Sequence, residues 1–138
     1  MRRSTWSCPC ACNEAILSVS HLSLSRFRNI ETLQLEPGTG FNCIIGPNGS
    51  GKTAVLEGLH FLGLGRSFRT HQPARAIQDG QGDFLLFARK EEGERTHQLG
   101  MQRDRAGNLS LRLNGETPDR LATFAEVLPL QLITPESF

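Results

Sequence analysis

The sequence predicts an α/β fold, and two stretches of the chain carry that prediction. The first is a short apolar run at residues 41–45, followed by a glycine-rich segment and by apolar residues at helical spacing from Lys52 to Leu64. The second is residues 84–113, where apolar and polar side chains alternate as they do in half-buried strands. A strand, a loop and a helix, with further antiparallel strands after them, make a mixed α/β domain.

Composition sets few limits on function. The 138 residues suffice for one domain, and 38% of them are hydrophobic, which is enough to form a core. With 15 basic and 14 acidic side chains, the net charge of +1 neither supports nor excludes a nucleic acid partner. No stretch reaches the ~20 apolar residues that span a bilayer. Asn13 and Glu14 interrupt the signal-peptide pattern that Met1–Arg3 begins, so we expect a cytoplasmic protein.

The first third of the chain predicts a tail and three strands. Residues 1–15 show no periodicity, and we expect an unstructured tail from a start codon placed too far upstream. From Ile16 to Leu24 the apolar positions alternate with one slip, which predicts a strand, and Leu33 and Leu35 suggest a second one. The run at residues 41–45, bounded by glycines, predicts a buried third strand.

After the glycine-rich segment, the pattern predicts a helix and then an antiparallel meander. Gly63 and Gly65 end the helix. Three strands follow, at residues 84–88, 96–101 and 109–113. Asn114-Gly115 predicts a tight turn after the last of them. The rest of the chain predicts a short helix at 121–128 and a strand at 130–133.

Three of the four cysteines stand close together in the predicted tail. Cys8, Cys10 and Cys12 form Cys-Pro-Cys-Ala-Cys, whereas Cys43 lies in the apolar run. Zinc sites more often use two-residue gaps and a second ligand pair further along, and no such pair follows. The spacing leaves a metal site or a disulfide open, and a frayed tail is the simpler interpretation.

The glycine-rich segment carries the chemistry of this sequence. Residues 46–53 read Gly46-Pro47-Asn48-Gly49-Ser50-Gly51-Lys52-Thr53, the pattern G-x-x-x-x-G-K-[ST] of a phosphate-binding P-loop. Its glycines let successive backbone N–H groups face an anion, and the helix that follows adds its positive end. We expect Lys52 to reach the β- and γ-phosphates and the Thr53 hydroxyl to ligate Mg²⁺. A glycine turn without function would not explain Lys52-Thr53 at the start of a helix.

The sequence shows none of the other residues that a P-loop enzyme needs to hydrolyse a nucleotide. P-loop enzymes hold Mg²⁺ with an Asp at the end of a second apolar strand, and another residue positions water. Phe84–Ala88 is the only candidate for that strand, and Arg89-Lys90 stand between it and Glu91-Glu92. Cations there would oppose a metal, so we expect this chain to bind nucleotide and not to hydrolyse it alone. The loop contacts phosphates only, so the choice between ATP and GTP stays open at this point.

Several segments resemble the RecF family of bacterial recombination mediators, which belongs with the SMC-type members of the ABC ATPases. The resemblance covers residues 16–138 and rests on Phe27-Arg28-Asn29-Ile30, Gly40-Phe41-Asn42, the P-loop, Leu56-Glu57-Gly58-Leu59, Gly63–Thr70 and Leu130–Phe138. It implies a P-loop NTPase head of ABC/SMC type. The chain would be its N-terminal β-rich ATP-binding lobe, incomplete and truncated before the Walker B motif.

The resemblance also implies a function in DNA replication and repair. Proteins of this kind are weak ATPases that bind ATP and Mg²⁺ and form ATP-dependent homodimers with two nucleotides between the heads. The family implies binding to single-stranded and gapped DNA, cooperation with recombination mediator proteins in loading recombinase, and a place in the SOS response to DNA damage. It implies no membrane partner, and it puts the signature motif and the Walker B carboxylates beyond Phe138.

Further nucleotide-contacting residues follow from the resemblance. Arg28 and Asn29 stand where SMC-type heads place a nucleotide-contacting turn, and Arg69 stands where related heads carry an arginine that approaches the phosphates. Gln131 approximates the glutamine that senses metal and water in these ATPases. The alternative is that the arginines are solvated loop charges and that Gln131 is an ordinary edge-strand residue. His60 fits a boundary position of the helix.

Other classes of P-loop protein fit the sequence less well. A nucleotide-binding subunit of a membrane transporter is the main alternative, but it would usually carry an aromatic residue for adenine stacking before the P-loop, and the chain has no Tyr. A P-loop kinase would have helical crossovers where residues 84–113 predict strands. A regulatory GTPase would carry an Asn-Lys-x-Asp run, which this sequence lacks.

Overall fold

The computed structural model describes residues 17–67 and 71–133, and a five-stranded antiparallel sheet is the main element of that part. Its strands are β1 Leu17–Phe27, β2 Ile30–Leu35, β3 Asp83–Glu92, β4 Arg95–Asp104 and β5 Leu109–Leu113. The helices are α1 Lys52–Leu64 and α2 Ala122–Val127, with a 3₁₀ turn at Pro73–Ala76. The strand order β2-β1-β3-β4-β5 joins the N-terminal hairpin and the predicted meander edge to edge in one sheet.

Strand β1 contains a bulge where the apolar pattern slips. Its pairing with β3 shifts between Val19 and His21. Side chains alternate along a strand, so one extra residue moves every later side chain to the other face. The bulge therefore brings Val19 and Leu22 to the same face of the sheet, although three positions separate them. This bulge explains why the alternation of apolar residues in the sequence slips once within β1.

Helix α1 covers one face of the sheet, and the core lies between them. Phe27 at the end of β1 makes edge-to-face contacts with Phe61 of α1 and Phe84 of β3, at centroid distances of 6.3 and 5.2 Å. Phe61 and Phe84 also meet at 5.2 Å. Such pairs contribute about 0.5–1.5 kcal/mol each beyond the area that they bury. Because Phe27 ends β1, this cluster fixes the point at which the β1–β2 turn leaves the sheet.

A buried lysine attaches α2 to the sheet. Lys90 of β3 is 5% exposed, and its ammonium donates a hydrogen bond to the Val127 carbonyl at the end of α2. The Glu92 carboxylate lies 3.5 Å from the same ammonium. A helix C-terminus carries partial negative charge, so a cation there is stabilised. This contact holds α2 in place with Phe124 in the core beside α1.

The structure confirms most of the predicted elements, and the turn after β5 is the clearest case. Asn114 and Gly115 have φ angles of 53° and 86°, as a type I′ turn requires. Leu113 and Glu116 exchange backbone hydrogen bonds of 2.7 and 3.0 Å across that turn. Strands β1 to β5, α1 with its end at Gly65, and the short helix α2 also lie where the pattern predicts them.

Two predicted strands are wrong. Residues 42–46 take no regular secondary structure, and Phe41 and Ile45 are 81% and 60% exposed. Residues 130–133 form no strand either, and Ile133 is 64% exposed. A strand is held by hydrogen bonds to a neighbouring strand, and the described sheet pairs with neither segment. An apolar pattern does not supply that neighbour.

Some predictions fall on parts of the chain that the structure does not describe. Residues 1–16 are among them, so the tail, its boundary at residue 15 and the role of Cys8, Cys10 and Cys12 stay predictions. Within residues 17–67 and 71–133, no three His, Cys, Asp or Glu side chains come together as metal ligands. Over the same residues, no helix has the length and apolar character needed to cross a membrane.

Candidate nucleotide-binding site

Residues 46–53 wrap around the N-terminus of α1. Gly49 and Gly51 have φ angles of 82° and 96°, a region that a Cβ disfavours. The Ser50 N–H donates to the Pro47 carbonyl oxygen at 3.2 Å and closes the loop. Gly51 is the N-cap residue, no side chain caps the helix, and its first turn carries no acidic residue. Uncapped N–H groups at a positive helix end fit an anion such as phosphate.

The two side chains that end the P-loop face one cavity. Lys52 and Thr53 line a cavity of about 590 Å³, together with Asn48, Gly49 and Gly51. The Lys52 ammonium bonds back to the Gly46 carbonyl and so lies over the loop. Thr53 is exposed at the second position of α1. A cation and a hydroxyl beside uncapped N–H groups are the donor set for phosphate and for a phosphate-bound cation.

The turn between β1 and β2 forms the second wall of the cavity. Its central residues are Arg28 and Asn29, and both line the cavity. The Asn29 amide Nδ2 donates to the Gly49 carbonyl oxygen at 2.9 Å. The turn is thereby bound directly to the P-loop.

Arg28 is held by a buried carboxylate. Its Nε and Nη2 atoms donate to the two carboxylate oxygens of Glu57 at 3.0 and 2.7 Å, and Glu57 on α1 is fully buried. Its Nη1 donates to the Arg75 carbonyl oxygen at 3.1 Å. All three guanidinium nitrogens thus bind protein atoms, while the side chain still borders the cavity.

The segment after the 3₁₀ turn forms the third wall. Arg75, Ile77 and Asp79 line the cavity. Two backbone hydrogen bonds of 2.8 Å fix this segment beside the turn: Arg28 N–H to the Ala76 carbonyl, and Gln78 N–H to the carbonyl of Arg26. Three stretches that are distant in sequence therefore meet around the P-loop.

The structure does not place the remaining predicted nucleotide-contacting residues, Arg69 and Gln131, in this cavity wall, for different reasons. Arg69 lies outside the described residues, so its assignment stays a prediction. Gln131 is exposed after α2 and is not part of the cavity wall. His60 Nδ1 lies 2.8 Å from the Arg66 carbonyl oxygen near the other end of α1. Arg28 and Asn29 do join the cavity, and whether they contact nucleotide stays a prediction.

The sequence does not point to Glu57, which holds Arg28, or to Arg75 and Asp79 in the cavity wall. In the sequence Glu57 stands out only as part of a family segment, although a carboxylate within the apolar stripe of a helix is a signal for a buried ion pair. Arg75 and Asp79 fall in a segment for which the sequence predicts only a loop. No local pattern marks them, because their place in the wall depends on backbone pairing between residues 26–28 and 76–78.

A P-loop at the N-terminus of a helix, beside an antiparallel sheet that contributes a turn to the same cavity, defines a P-loop NTPase head of ABC/SMC type. Residues 18–138 match the RecF/RecN/SMC N terminal domain. Because the match covers most of the chain, the chain belongs to this family.

Sequence similarity to individual proteins supports the same family assignment. The chain is similar to the DNA replication and repair protein RecF of Shewanella loihica, with 51% identity over 122 residues, and to that of Shewanella pealeana, with 48%. Each alignment covers 88% of this chain and 34% of the relative. The chain therefore spans about a third of the length of these relatives.

Solved structures show the same fold. The recombination mediator protein RecF with ATP superposes with a TM-score of 0.76 at 24% identity, over 88% of this chain and 34% of that one. An SMC ATPase, whose structure was described together with ATP-driven dimerization and DNA-stimulated activation, superposes with a TM-score of 0.69 at 19% identity. The match covers 87% of this chain and 82% of that one. These comparisons do not favour the transporter subunit that the sequence left open as an alternative.

Proposed function

We propose that this chain supplies the P-loop part of an ATP site in a RecF-type DNA replication and repair ATPase. One observation carries the proposal: the P-loop, the β1–β2 turn and residues 75–79 surround a single cavity, with Lys52 and Thr53 in its wall. Relatives with about half of their aligned residues identical are named DNA replication and repair proteins. We propose ATP and not GTP as the nucleotide because of this similarity.

Within the proposed site each group has a separate task. The N–H groups from Gly49 to Thr53 hold phosphate oxygens at the helix end. Lys52 moves from the Gly46 carbonyl to the β- and γ-phosphates. Asn29 keeps the Gly49 peptide in place. The Thr53 hydroxyl would hold Mg²⁺, and the metal would supply charge neutralisation at the phosphates.

We propose that ATP hydrolysis requires catalytic groups that the described cavity wall does not contain. Among the described residues, Asp79 is the one carboxylate in the cavity wall, and it lies on a turn instead of a strand end. We therefore propose that the whole protein hydrolyses ATP weakly, and that further length of the kind its relatives possess supplies the metal-binding carboxylates. We also propose ATP-dependent homodimers, binding to single-stranded and gapped DNA, and cooperation with recombination mediator proteins in loading recombinase.

The proposal is tested by titrating fluorescent ATP with Mg²⁺ into this chain and into a longer form that spans the full relatives. The expected result is saturable binding to both and hydrolysis by the longer form alone. Binding by neither form would reject the ATP site. Hydrolysis by the short chain would reject the proposal that the groups for hydrolysis lie outside this chain.

The DNA part needs a separate measurement on the longer form. Light scattering is expected to show dimers with ATP and monomers without it. Fluorescence anisotropy is expected to show tighter binding to gapped than to blunt duplex DNA of the same length. Equal affinity for both DNAs, or dimers independent of ATP, would contradict the corresponding part of the proposal.

A further inference from the structure

Glu57 is a buried carboxylate inside the helix that carries the P-loop. It lies one turn after Thr53 on α1, and it is fully buried. Its oxygens accept hydrogen bonds from Arg28 Nε at 3.0 Å, Arg28 Nη2 at 2.7 Å and Ser67 Oγ at 2.5 Å. An ionised carboxylate without such partners would be strongly destabilised by burial. The bidentate geometry also fixes the plane of the Arg28 guanidinium.

Arg28 needs this support because its backbone is strained. Its φ of 55° lies in the left-handed region, which is unfavourable for a residue with a Cβ. Strain of this kind persists where surrounding contacts enforce it. Here the contacts are the Glu57 pair, the Nη1 bond to the Arg75 carbonyl and the backbone bond to the Ala76 carbonyl at 2.8 Å.

Asn29, the next residue in the turn, connects the position of Arg28 to the P-loop. Asn29 follows Arg28 in the turn and donates to the Gly49 carbonyl oxygen at 2.9 Å. Gly49 itself has a φ of 82°. A continuous path of contacts thus runs from Glu57 through Arg28 and Asn29 to the loop. Glu57 itself is not part of the cavity wall.

We propose that Glu57 is a positioning residue for the nucleotide site. It holds Arg28 in its left-handed conformation, so that Asn29 in the same turn supports the peptide of Gly49 in the shape that receives phosphate. Arg28 then acts on the nucleotide through Asn29. The inference rests on the proposed ATP site, but it concerns the shape of the loop and is measurable without nucleotide.

A purely structural ion pair would predict a different outcome. Removing either partner of a buried pair is destabilising in any protein, so lost stability alone does not distinguish the two roles. A positioning role requires in addition that Glu57 and Asn29 act on nucleotide affinity as one unit. Residues that act through each other give non-additive effects.

The test is a double-mutant cycle of Glu57→Gln and Asn29→Ala in the full chain. Each single variant is expected to weaken the binding of fluorescent ATP about fivefold, as the loss of one hydrogen bond would, and the double variant also about fivefold. Glu126→Gln, the same change at an exposed position of α2, is the control and keeps wild-type affinity. Folded Glu57→Gln with wild-type affinity, or a double variant near the product of about 25-fold, overturns the proposal.

Hydrogen exchange provides the measurement that does not need nucleotide. In Glu57→Gln, amides of residues 47–53 are expected to exchange faster, with little change in β3 and β4. Equal acceleration everywhere would indicate a structural pair and overturn the positioning role. If wild-type protein binds no ATP and Glu57→Gln still loosens this loop selectively, the proposed function fails and the positioning role stands. If Glu57→Gln does not fold, Arg28→Lys replaces it, since it keeps the charge and loses the bidentate geometry.

Discussion

The amide of Asn29 donates a hydrogen bond of 2.9 Å to the carbonyl oxygen of Gly49, and so joins a turn of the sheet to the P-loop. The two residues are 20 positions apart, and the bond closes one side of the cavity. A substitution at Asn29 therefore tests whether the shape of the loop depends on the sheet.

Asn29→Asp is expected to weaken ATP binding more than Asn29→Ala. Alanine removes one hydrogen bond, worth about 1 kcal/mol or fivefold in affinity. Aspartate has no amide donor for the Gly49 carbonyl, and its charge borders a cavity proposed to hold phosphate. Titration of both variants at two salt concentrations checks this, because only the charge effect should shrink in high salt. Equal affinities for the two variants would show that Asn29 lies away from the phosphates.

Acid is expected to reduce stability through Asp83. Its carboxylate accepts bonds from Gln102 Nε2 at 2.5 Å and Arg26 Nε at 2.8 Å, and these hold its pKa below the ordinary value, with Gln102 the larger cause. A lowered folded-state pKa gives stability that is present above the unfolded-state pKa of about 3.9 and is lost as pH falls through the folded-state value.

The comparison with Asp83→Asn isolates this contribution. Urea unfolding of both proteins is measured between about pH 6 and pH 2.5, a window that brackets the unfolded-state pKa of Asp. The variant should be less stable at the upper end by about 1 kcal/mol, and the difference should shrink as pH falls. Asp119→Asn on an exposed segment is the control. A difference that stays constant with pH would contradict the role of the Asp83 carboxylate.

Close packing between α1 and β1 predicts the effect of Gly58→Ala. A Cβ at Gly58 would lie 2.2 Å from Leu24 Cδ2 and 3.5 Å from Leu86 Cδ2. Alanine favours a helix over glycine by about 1 kcal/mol, whereas overpacking a core costs about 1–3 kcal/mol. We expect a net loss of stability in thermal unfolding. Gly82→Ala, where a Cβ meets nothing within 4 Å, is the control. A Gly58→Ala variant as stable as wild type would mean that the helix shifts freely on the sheet.

Local patterns were sufficient for elements whose partners are close in sequence. The β3–β4–β5 meander and the Asn114-Gly115 turn depend on alternation and on residues that accept positive φ, and both are readable from the sequence. The slip in β1 was readable for the same reason, because a bulge shifts the pattern by one residue.

Elements that depend on distant partners were not readable in this way. Residues 41–45 have the composition of a buried strand, but the five-stranded sheet does not include them, and Phe41 is largely exposed. The role of Glu57 depends on the side chain of Arg28, 29 positions earlier. The motif of residues 46–53 is local and visible in the sequence, and its binding of phosphate stays a prediction, whereas no local pattern marks Arg75 and Asp79 in the cavity wall.

The most direct test of the nucleotide site is ATP binding by Lys52→Ala. We expect wild-type chain to bind fluorescent ATP in the presence of Mg²⁺ and Lys52→Ala to show no measurable binding, with an unchanged circular dichroism spectrum. Arg120→Ala, which removes an exposed cation far along the chain, should bind as wild type does. Unchanged affinity in a folded Lys52→Ala variant would contradict the assignment of residues 46–53 as the phosphate-binding loop.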